Sequence, residues 1–493
     1  MSTIKSFHRL YIVILLVTWG FLMTVLVRRN YFQQTAPVFY ADLETGIREI
    51  PSDAQWMIIY HNGQKMGYSI YSINNRGAKG YTIQSTAQLI MGIAGMETQV
   101  LMRNSVSVDS LFHLTEFDFS LQSEQYTTHL SGIKAGTELA VTFYQGLDST
   151  VQILTVPEKL YTYIGVQPLI TWQGFKEGDQ VSLPSFDPVS MEVGEITVTH
   201  LGKETITIAE VDYNLNKIGL DFRGIPSTMW LDDDGITYRE ESLMGLVMER
   251  SSSADALAVG KEGLGIDMMD AFAIPVKPHI AGNRLSELTL EITGLEPAVL
   301  ENLVTDRQQI IQLDPLTIRL RSVPVKANKK EAHRFLGGTE IIQPMHPRIQ
   351  ALVSELLPPD ISLAERVSRL HQFVYSALRK YPVVSMSSAV EILDNRTGDC
   401  SEHTVLFTTL ARGAGIPTKI HIGLVHLNGQ FVYHAWPVVY LEGEWVSIDP
   451  TLNQDVADAT HLTLLETDFT NLSSLMPILG QVTITVIDQL TRK

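Results

Sequence analysis

Cysteine is almost missing from this chain: Cys400 is the only one in 493 residues. No intramolecular disulfide can form, and a zinc site built on several thiolates is excluded. A lone thiol is either inert packing or a reactive group, so its surroundings must decide. Cations are also scarce. Lys and Arg number 37 against 54 Asp and Glu, for a net charge of -17. That balance excludes a general nucleic-acid binder, which needs a basic surface to displace counterions. It equally disfavours a polybasic membrane-surface protein. Long low-complexity tracts are absent, and glycine and proline are scattered. Hydrophobic residues, at 45%, are plentiful enough for buried cores throughout, and the length fits about three domains at ~150 residues each.

Long apolar runs are missing too, with one exception. From Leu10 to Val27 no residue is charged. Those 18 residues would span ~27 Å as a helix, enough for the hydrocarbon layer. A cleaved signal peptide is the rival reading, but the best small-residue site, at Thr35 and Ala36, is followed by Pro37. Residues 1–30 therefore read as an uncleaved N-terminal transmembrane anchor. Lys5 and Arg9 before the run, against Arg28 and Arg29 after it, lean toward a cytoplasmic N-terminus. The expected location is single-pass and membrane-anchored, with a periplasmic or otherwise extracytoplasmic body.

Residues 50–250 read as strand after strand. Asn62-Gly63 sits between two strand-like runs, a hairpin signal because both turn residues must take positive φ. Ile196, Val198, Ile206 and Ile208 alternate with polar residues. Asp232-Asp233-Asp234-Gly235 reads as another turn and lacks the glutamate and spacing of a helix-loop-helix calcium site. This region is expected to be one large curved antiparallel sheet or two related smaller ones. Its pattern resembles the half-barrel sheets of bacterial envelope proteins that handle lipoproteins, which would imply an envelope partner. Ser251 to Gly265 reads as a linker. Alternation returns near Leu288–Ile292 and Leu316–Leu320, giving a small β domain at 265–325.

After Pro347 the period changes to about 3.6. Ser362 and Glu365 fit a capping box, followed by Leu363, Val367, Leu370, Val374 and Leu378 at helical spacing. Asp399 and Glu402 fit a second capping box, which makes Cys400 the first residue of a helix running to about Arg412. Gly413 and Gly415 end it, with Pro417 beyond. Backbone N–H groups and the helix dipole at that position favour a thiolate and can hold the oxyanion of an acyl-transfer intermediate.

Such a thiol needs a base. Three strands follow: Thr418 to Leu427, Gln430 to Tyr440 and Glu444 to Asp449. If Glu442-Gly443 is a two-residue turn, Val438 pairs with Ser447 and Trp436 with Asp449. His434 and Asp449 then share a face as diagonal neighbours. A slip of one residue would separate them. The carboxylate would take one ring N–H of His434 and leave the other nitrogen facing the thiol.

The run Gly398-Asp-Cys-Ser-Glu-His403, with Leu410-Ala-Arg-Gly-Ala-Gly-Ile-Pro417, His434-Ala-Trp436, Trp445 and Asp449-Pro-Thr451, resembles the transglutaminase-like superfamily. The continuation Asp458-Ala-Thr-His461 resembles a membrane-anchored bacterial subgroup. The resemblance implies a papain-like α+β catalytic domain at 347–480 and acyl-enzyme chemistry on an amide without a cofactor. It gives Cys400, His434 and Asp449 the roles of nucleophile, base and orienting acid. It also implies a second oxyanion donor upstream of the cysteine, which the sequence does not place. The whole is then a multidomain α+β protein: anchor, β-rich antiparallel-sheet region, and C-terminal papain-like/transglutaminase-like domain.

Of the neighbouring residues, His403 reads as structural. His421 and His426 are an odd number apart and offer no shared face for a metal. Trp436 is expected as a wall of the substrate cleft. Three functions fit. A hydrolase would resolve the acyl-enzyme with water, on a peptide or isopeptide substrate. A transglutaminase would resolve it with an amine. A non-catalytic scaffold would use the β domains to bind an envelope partner. The intact triad favours an enzyme, and protease-type hydrolysis is the first expectation.

Overall fold

The computed structural model describes residues 54–491, apart from 94–95, 125, 146–147, 173–174, 243–244, 259–271, 281–283, 296–298, 301–302, 382, 385–386, 470–474, 476–477 and 479. The expected anchor at 1–30 and the second half of the expected linker, 259–265, lie outside the described residues. No described helix is long and apolar enough to cross a membrane.

The turn chemistry sets the first half of the fold. Asn62 and Gly63 take φ of 49° and 77° and join strands Gln55–His61 and Gln64–Asn75. Asp232 closes the acidic turn by accepting the backbone N–H groups of Asp234 and Ile236 at 3.1 and 2.8 Å. Fourteen antiparallel strands between Gln55 and Ser251 form one sheet. The first eight step outward in sequence to an edge at Asp148–Thr155. The other six start at the opposite edge, Gln180–Asp187, and return until Leu246–Ser251 pairs with Gln55–His61. Alternating side chains such as Val106, Phe117, Ile196 and Ile218 fill one core drawn from both halves, and Phe117 meets Phe186 at 5.2 Å between ring centroids. Helix Tyr163–Trp172 packs Val166 into that core.

The second half combines a ten-stranded sheet with a layer of helices. Residues 265–325, expected as a small β domain, supply strands to the same sheet as the catalytic strands. Leu285–Thr293 pairs with Thr483–Thr491, which pairs in parallel with Ile274–Lys277, which in turn pairs with Gln430–Leu441. One apolar core joins Leu288 and Ile318 to Ile420, Leu424 and Phe431, so no boundary of packing separates the two stretches. Against the catalytic strands lie helices Pro347–Leu356, Leu363–Ala377, Ala389–Asn395 and Cys400–Gly413, which bury Val367, Leu370, Val374, Leu406 and Leu410 together. Ser362 caps its helix as expected by accepting from the Glu365 N–H. Glu365 does not complete the box and pairs with Arg369 at 2.9 Å.

The large sheet touches the segment that leads to the cysteine helix. The Tyr126 hydroxyl donates to the Thr397 carbonyl. The Tyr381 hydroxyl reaches Glu124 at 3.2 Å, and Val384 packs on Met66, Met91 and Val100 of the sheet.

Candidate active site

Local sequence fixes the position of Cys400. Thr397-Gly398 pairs in parallel with Arg379-Lys380 and feeds directly into Asp399. The Asp399 side chain accepts from the Ser401 N–H at 2.9 Å, and Glu402 Oε2 accepts the Asp399 N–H at 2.9 Å, so the capping box is complete. Glycine is required at 398 because an added Cβ would stand 2.3 Å from Glu402 Cβ. Burial, and then the charge of Asp399, push the Glu402 carboxyl well above its ordinary value. Cys400 begins the helix and is partly exposed. One turn on, the Thr404 hydroxyl donates to the Ala435 carbonyl at 3.0 Å and ties the cysteine helix to the strand that carries His434.

The base and its partner come from the predicted hairpin. Glu442 and Gly443 take φ of 48° and 96°, and Val438 pairs with Ser447. That register carries the chain to Asp449. His434 Nε2 donates to Asp449 Oδ2 at 2.8 Å, with the two side chains 5% and 0% exposed. The other carboxylate oxygen, Oδ1, accepts the N–H groups of Thr451 and Leu452 at 2.8 and 2.9 Å. This turn explains why Asp-Pro-Thr is followed by an irregular segment and not a strand. Burial opposes the charge on His434, but Asp449 and Cys400 outweigh it and raise the imidazole to about 9. Burial opposes the charge on Asp449 as well, but His434 and His461 hold its carboxyl far below the ordinary carboxylate range. Cys400 is near enough to His434 to help raise its imidazole, so the three groups predicted from the sequence come together.

Two further groups belong to this site. His461 Nε2 lies 3.1 Å from the same Asp449 Oδ2, and its Nδ1 lies 3.3 Å from Asp458 Oδ1. His371 supports the Asp449 main chain, with Nε2 at 3.2 Å from its carbonyl and Nδ1 at 2.7 Å from Asp455. The sequence alone assigns neither histidine a role. The available signal for His461 is the Asp458-Ala-Thr-His461 motif; His371 lies on the buried stripe of a helix and carries no motif. His434, Asp449 and His461 offer three donor atoms within 4.8 Å. Both imidazoles aim at one oxygen, so the geometry is that of two N–H donors on a shared acceptor.

Trp436 requires a correction. It is fully buried, stacked near His434 at 6.2 Å and edge-on to His461 at 5.0 Å between centroids. A side chain with no exposed surface cannot wall a substrate cleft; it packs behind the histidines and holds them in place. His403 is buried, with Nδ1 2.6 Å from the Asp399 carbonyl, as a structural residue should be. His421 pairs with Glu466 at 3.3 Å, and His426 meets His279 and Phe431, so the two occupy different surroundings.

Residues 350–450 match the family model of the transglutaminase-like superfamily. The chain therefore carries a transglutaminase-like domain, the type of domain in which cysteine-dependent enzymes are found. No curated protein matches the chain. Among solved structures, a barrel-like protein of Brucella abortus from a family of unknown function shares 10% identity at TM-score 0.31, covering 40% of this chain and 94% of that one. A candidate cysteine protease from Cytophaga hutchinsonii shares 14% identity at TM-score 0.28, over 42% and 89%. The periplasmic domain of TgpA from Pseudomonas aeruginosa, bound to ethylmercury, shares 24% identity at TM-score 0.23, over 28% and 55%. At these TM-scores none of the structural likenesses informs the chemistry.

Proposed function

We propose that the protein is a cysteine-dependent acyl-transfer enzyme that hydrolyses peptide or isopeptide amides, with Cys400 as nucleophile, His434 as base and Asp449 as orienting acid. The observation that carries this is the buried 2.8 Å His434–Asp449 bond, built beside a partly exposed cysteine at a capped helix start. Burying so many ionisable groups costs desolvation energy that a binding scaffold has no reason to incur.

In the forward step the Cys400 thiolate attacks the amide carbon. His434, whose Nε2 is held by Asp449, gives its Nδ1 proton to the leaving amine as the C–N bond breaks. Water then attacks the thioester, His434 takes its proton, and the thiolate departs with the carboxylic acid released. The Asp399 side chain occupies the N–H groups of Ser401 and Glu402, which leaves the N–H of Cys400 itself among the helix-start donors to hold the oxyanion. Transfer to a lysine amine uses the same acyl-enzyme and differs only in the second nucleophile.

We place the body outside the cytoplasm, held by the apolar run Leu10–Val27, with the large sheet recruiting or presenting a protein substrate. The support for the sheet's part is its contact, through Tyr126, with the carbonyl three residues before Cys400. The test is mass spectrometry of the full-length chain with a peptide library, with and without a primary amine. An acyl adduct on Cys400 that yields free acid supports hydrolysis. An adduct that is released only as the amine-linked product would make the protein a transferase. No adduct, together with a thiol that alkylates at the same rate in wild type and His434→Ala, would return the protein to the scaffold reading.

A further inference from the structure

His461 stands between two carboxylates. Nε2 faces Asp449 Oδ2 at 3.1 Å; Nδ1 faces Asp458 Oδ1 and the Asp458 carbonyl, both at 3.3 Å. Every group opposite its ring nitrogens is an acceptor, and the side chain is fully buried. A neutral imidazole has one N–H and would leave one nitrogen lone pair against an oxygen lone pair. Two protons satisfy both sides.

The surroundings are arranged for that charge. Asp458 is itself fixed: Oδ1 accepts the Thr460 N–H and hydroxyl at 2.9 and 2.6 Å, and Oδ2 accepts the Arg284 N–H at 3.1 Å. Behind it, buried Arg307 donates to the Ala457 and Asp458 carbonyls at 3.0 and 2.6 Å. On the other side Asp449 is shared with His434, whose ring centroid is 6.0 Å from that of His461. His371, at the Asp449 carbonyl, and His403, within reach of its charge, complete the ionisable neighbours. With His461 doubly protonated, charges of alternating sign follow one another through the buried groups Arg307, Asp458, His461, Asp449 and His434. Burial lowers the His461 imidazole, but Asp449 and Asp458 together raise it above its ordinary value.

We infer that His461 is a positioning residue of the reactive pair, a doubly protonated ring that shares Asp449 with His434 and sets, through its charge, the pH range in which the Cys400–His434 ion pair exists. The inference rests on the triad reading. Its sign is fixed by electrostatics: removing a nearby positive charge raises the pKa of every acid beside it. Neutralising His461 should delay thiolate formation to higher pH and let the His434 imidazolium persist to higher pH.

The experiment is the rate of Cys400 alkylation against pH in the full-length chain, where the single cysteine makes every label unambiguous. The wild type should show an acid limb and an alkaline limb. His461→Gln, which keeps a donor for Asp449 but not the charge, should move the His434 limb upward by roughly one pH unit or more, given the ~6 Å between the two rings, and the thiol limb upward by less. His461→Lys, which keeps the charge, should stay closer to wild type. If His461→Gln lowers the plateau rate with neither limb moved, the ring is only a spacer and the inference fails while the triad stands. A wild-type thiol that titrates like a free one near ~8.5 would sink both together. Should neither variant fold, imidazole 15N resonances of the wild type at pH 8 decide. A slowly exchanging, doubly protonated ring assigned to His461, and told apart from His434 and His371, supports the inference, and its absence overturns it.

Discussion

The two halves of the molecule bury carboxyl groups in opposite ways. In the large sheet, Glu240 is enclosed and takes a 2.6 Å hydrogen bond from the Tyr163 hydroxyl, which also meets Ser227 at 2.8 Å. With a neutral partner, burial dominates and raises Glu240 to about 7. In the catalytic half, Asp449 is as deeply enclosed yet is held far below the ordinary range, because two imidazoles and two backbone N–H groups converge on it. Desolvation is the same force in both places; the partners decide whether it is obeyed. One half lets burial raise its acid, and the other surrounds its acid with donors that lower it.

The widest test of that contrast is at the nucleophile. Cys400→Ala should abolish turnover while the thermal midpoint stays within a few degrees of wild type, because a partly exposed sulfur contributes little packing. Turnover that survived the change would break the contrast at its functional end. Asp449→Asn comes next. We expect a turnover loss of about 10²–10⁴-fold, less than for Cys400→Ala, from weakened orientation of His434. We also expect about 3 kcal/mol of lost stability in denaturant melts, from the uncompensated histidines. Unchanged stability would show that the two imidazoles do not depend on the charge of Asp449.

Glu240→Gln probes the other half. Because Glu240 titrates higher in the folded state, its neutral form supports the fold fully below about 4.5, and that support is lost as pH rises to about 7. The glutamine variant should lack this slope and gain up to ~3 kcal/mol relative to wild type at pH 8. The catalytic half differs. The stability supplied by His434 is full below about 6.5 and is lost progressively between there and about 9, and that supplied by Asp449 is lost only in acid. Hydrogen exchange read region by region at pH 5 and pH 6.5 should therefore show the large sheet, and not the strands around His434, loosening first. The smallest effect is expected from Tyr126→Phe, where the halves meet. Losing its bond to Thr397 should cost about 1 kcal/mol and change turnover only a few-fold. A tenfold loss of turnover at unchanged stability would instead make the sheet a determinant of nucleophile geometry.

What is legible in the sequence is local. Asn62-Gly63, Asn428-Gly429 and Glu442-Gly443 announce their hairpins because positive φ at two successive residues is a narrow requirement. The last of these sets the register that brings His434 to Asp449. The Asp399–Glu402 box is enough, through its capping pattern, to put Cys400 at the first position of its helix. What stays hidden is long-range. Nothing in Ile274–Lys277 or Leu285–Thr293 says that these strands continue the catalytic sheet, because their partners include Thr483–Thr491. The expectation for Trp436 fails because its position on a strand beside His434 does not say which face other elements cover. His461 is brought to Asp449 by the turn that Asp458 closes, and a turn of that kind leaves no periodic trace.

The position of Thr483–Thr491 has a consequence for the order of assembly. This strand, among the last of the described residues to be synthesised, lies between Leu285–Thr293 and Ile274–Lys277, and Ile274–Lys277 borders the strand that carries His434. The ten-stranded sheet therefore cannot be completed until those residues have emerged, by which time all fourteen strands of the large sheet have been synthesised. A nascent chain carries Cys400 well before it carries the finished support for His434. Cys400 therefore precedes in the chain a strand on which the sheet around His434 depends for its continuity.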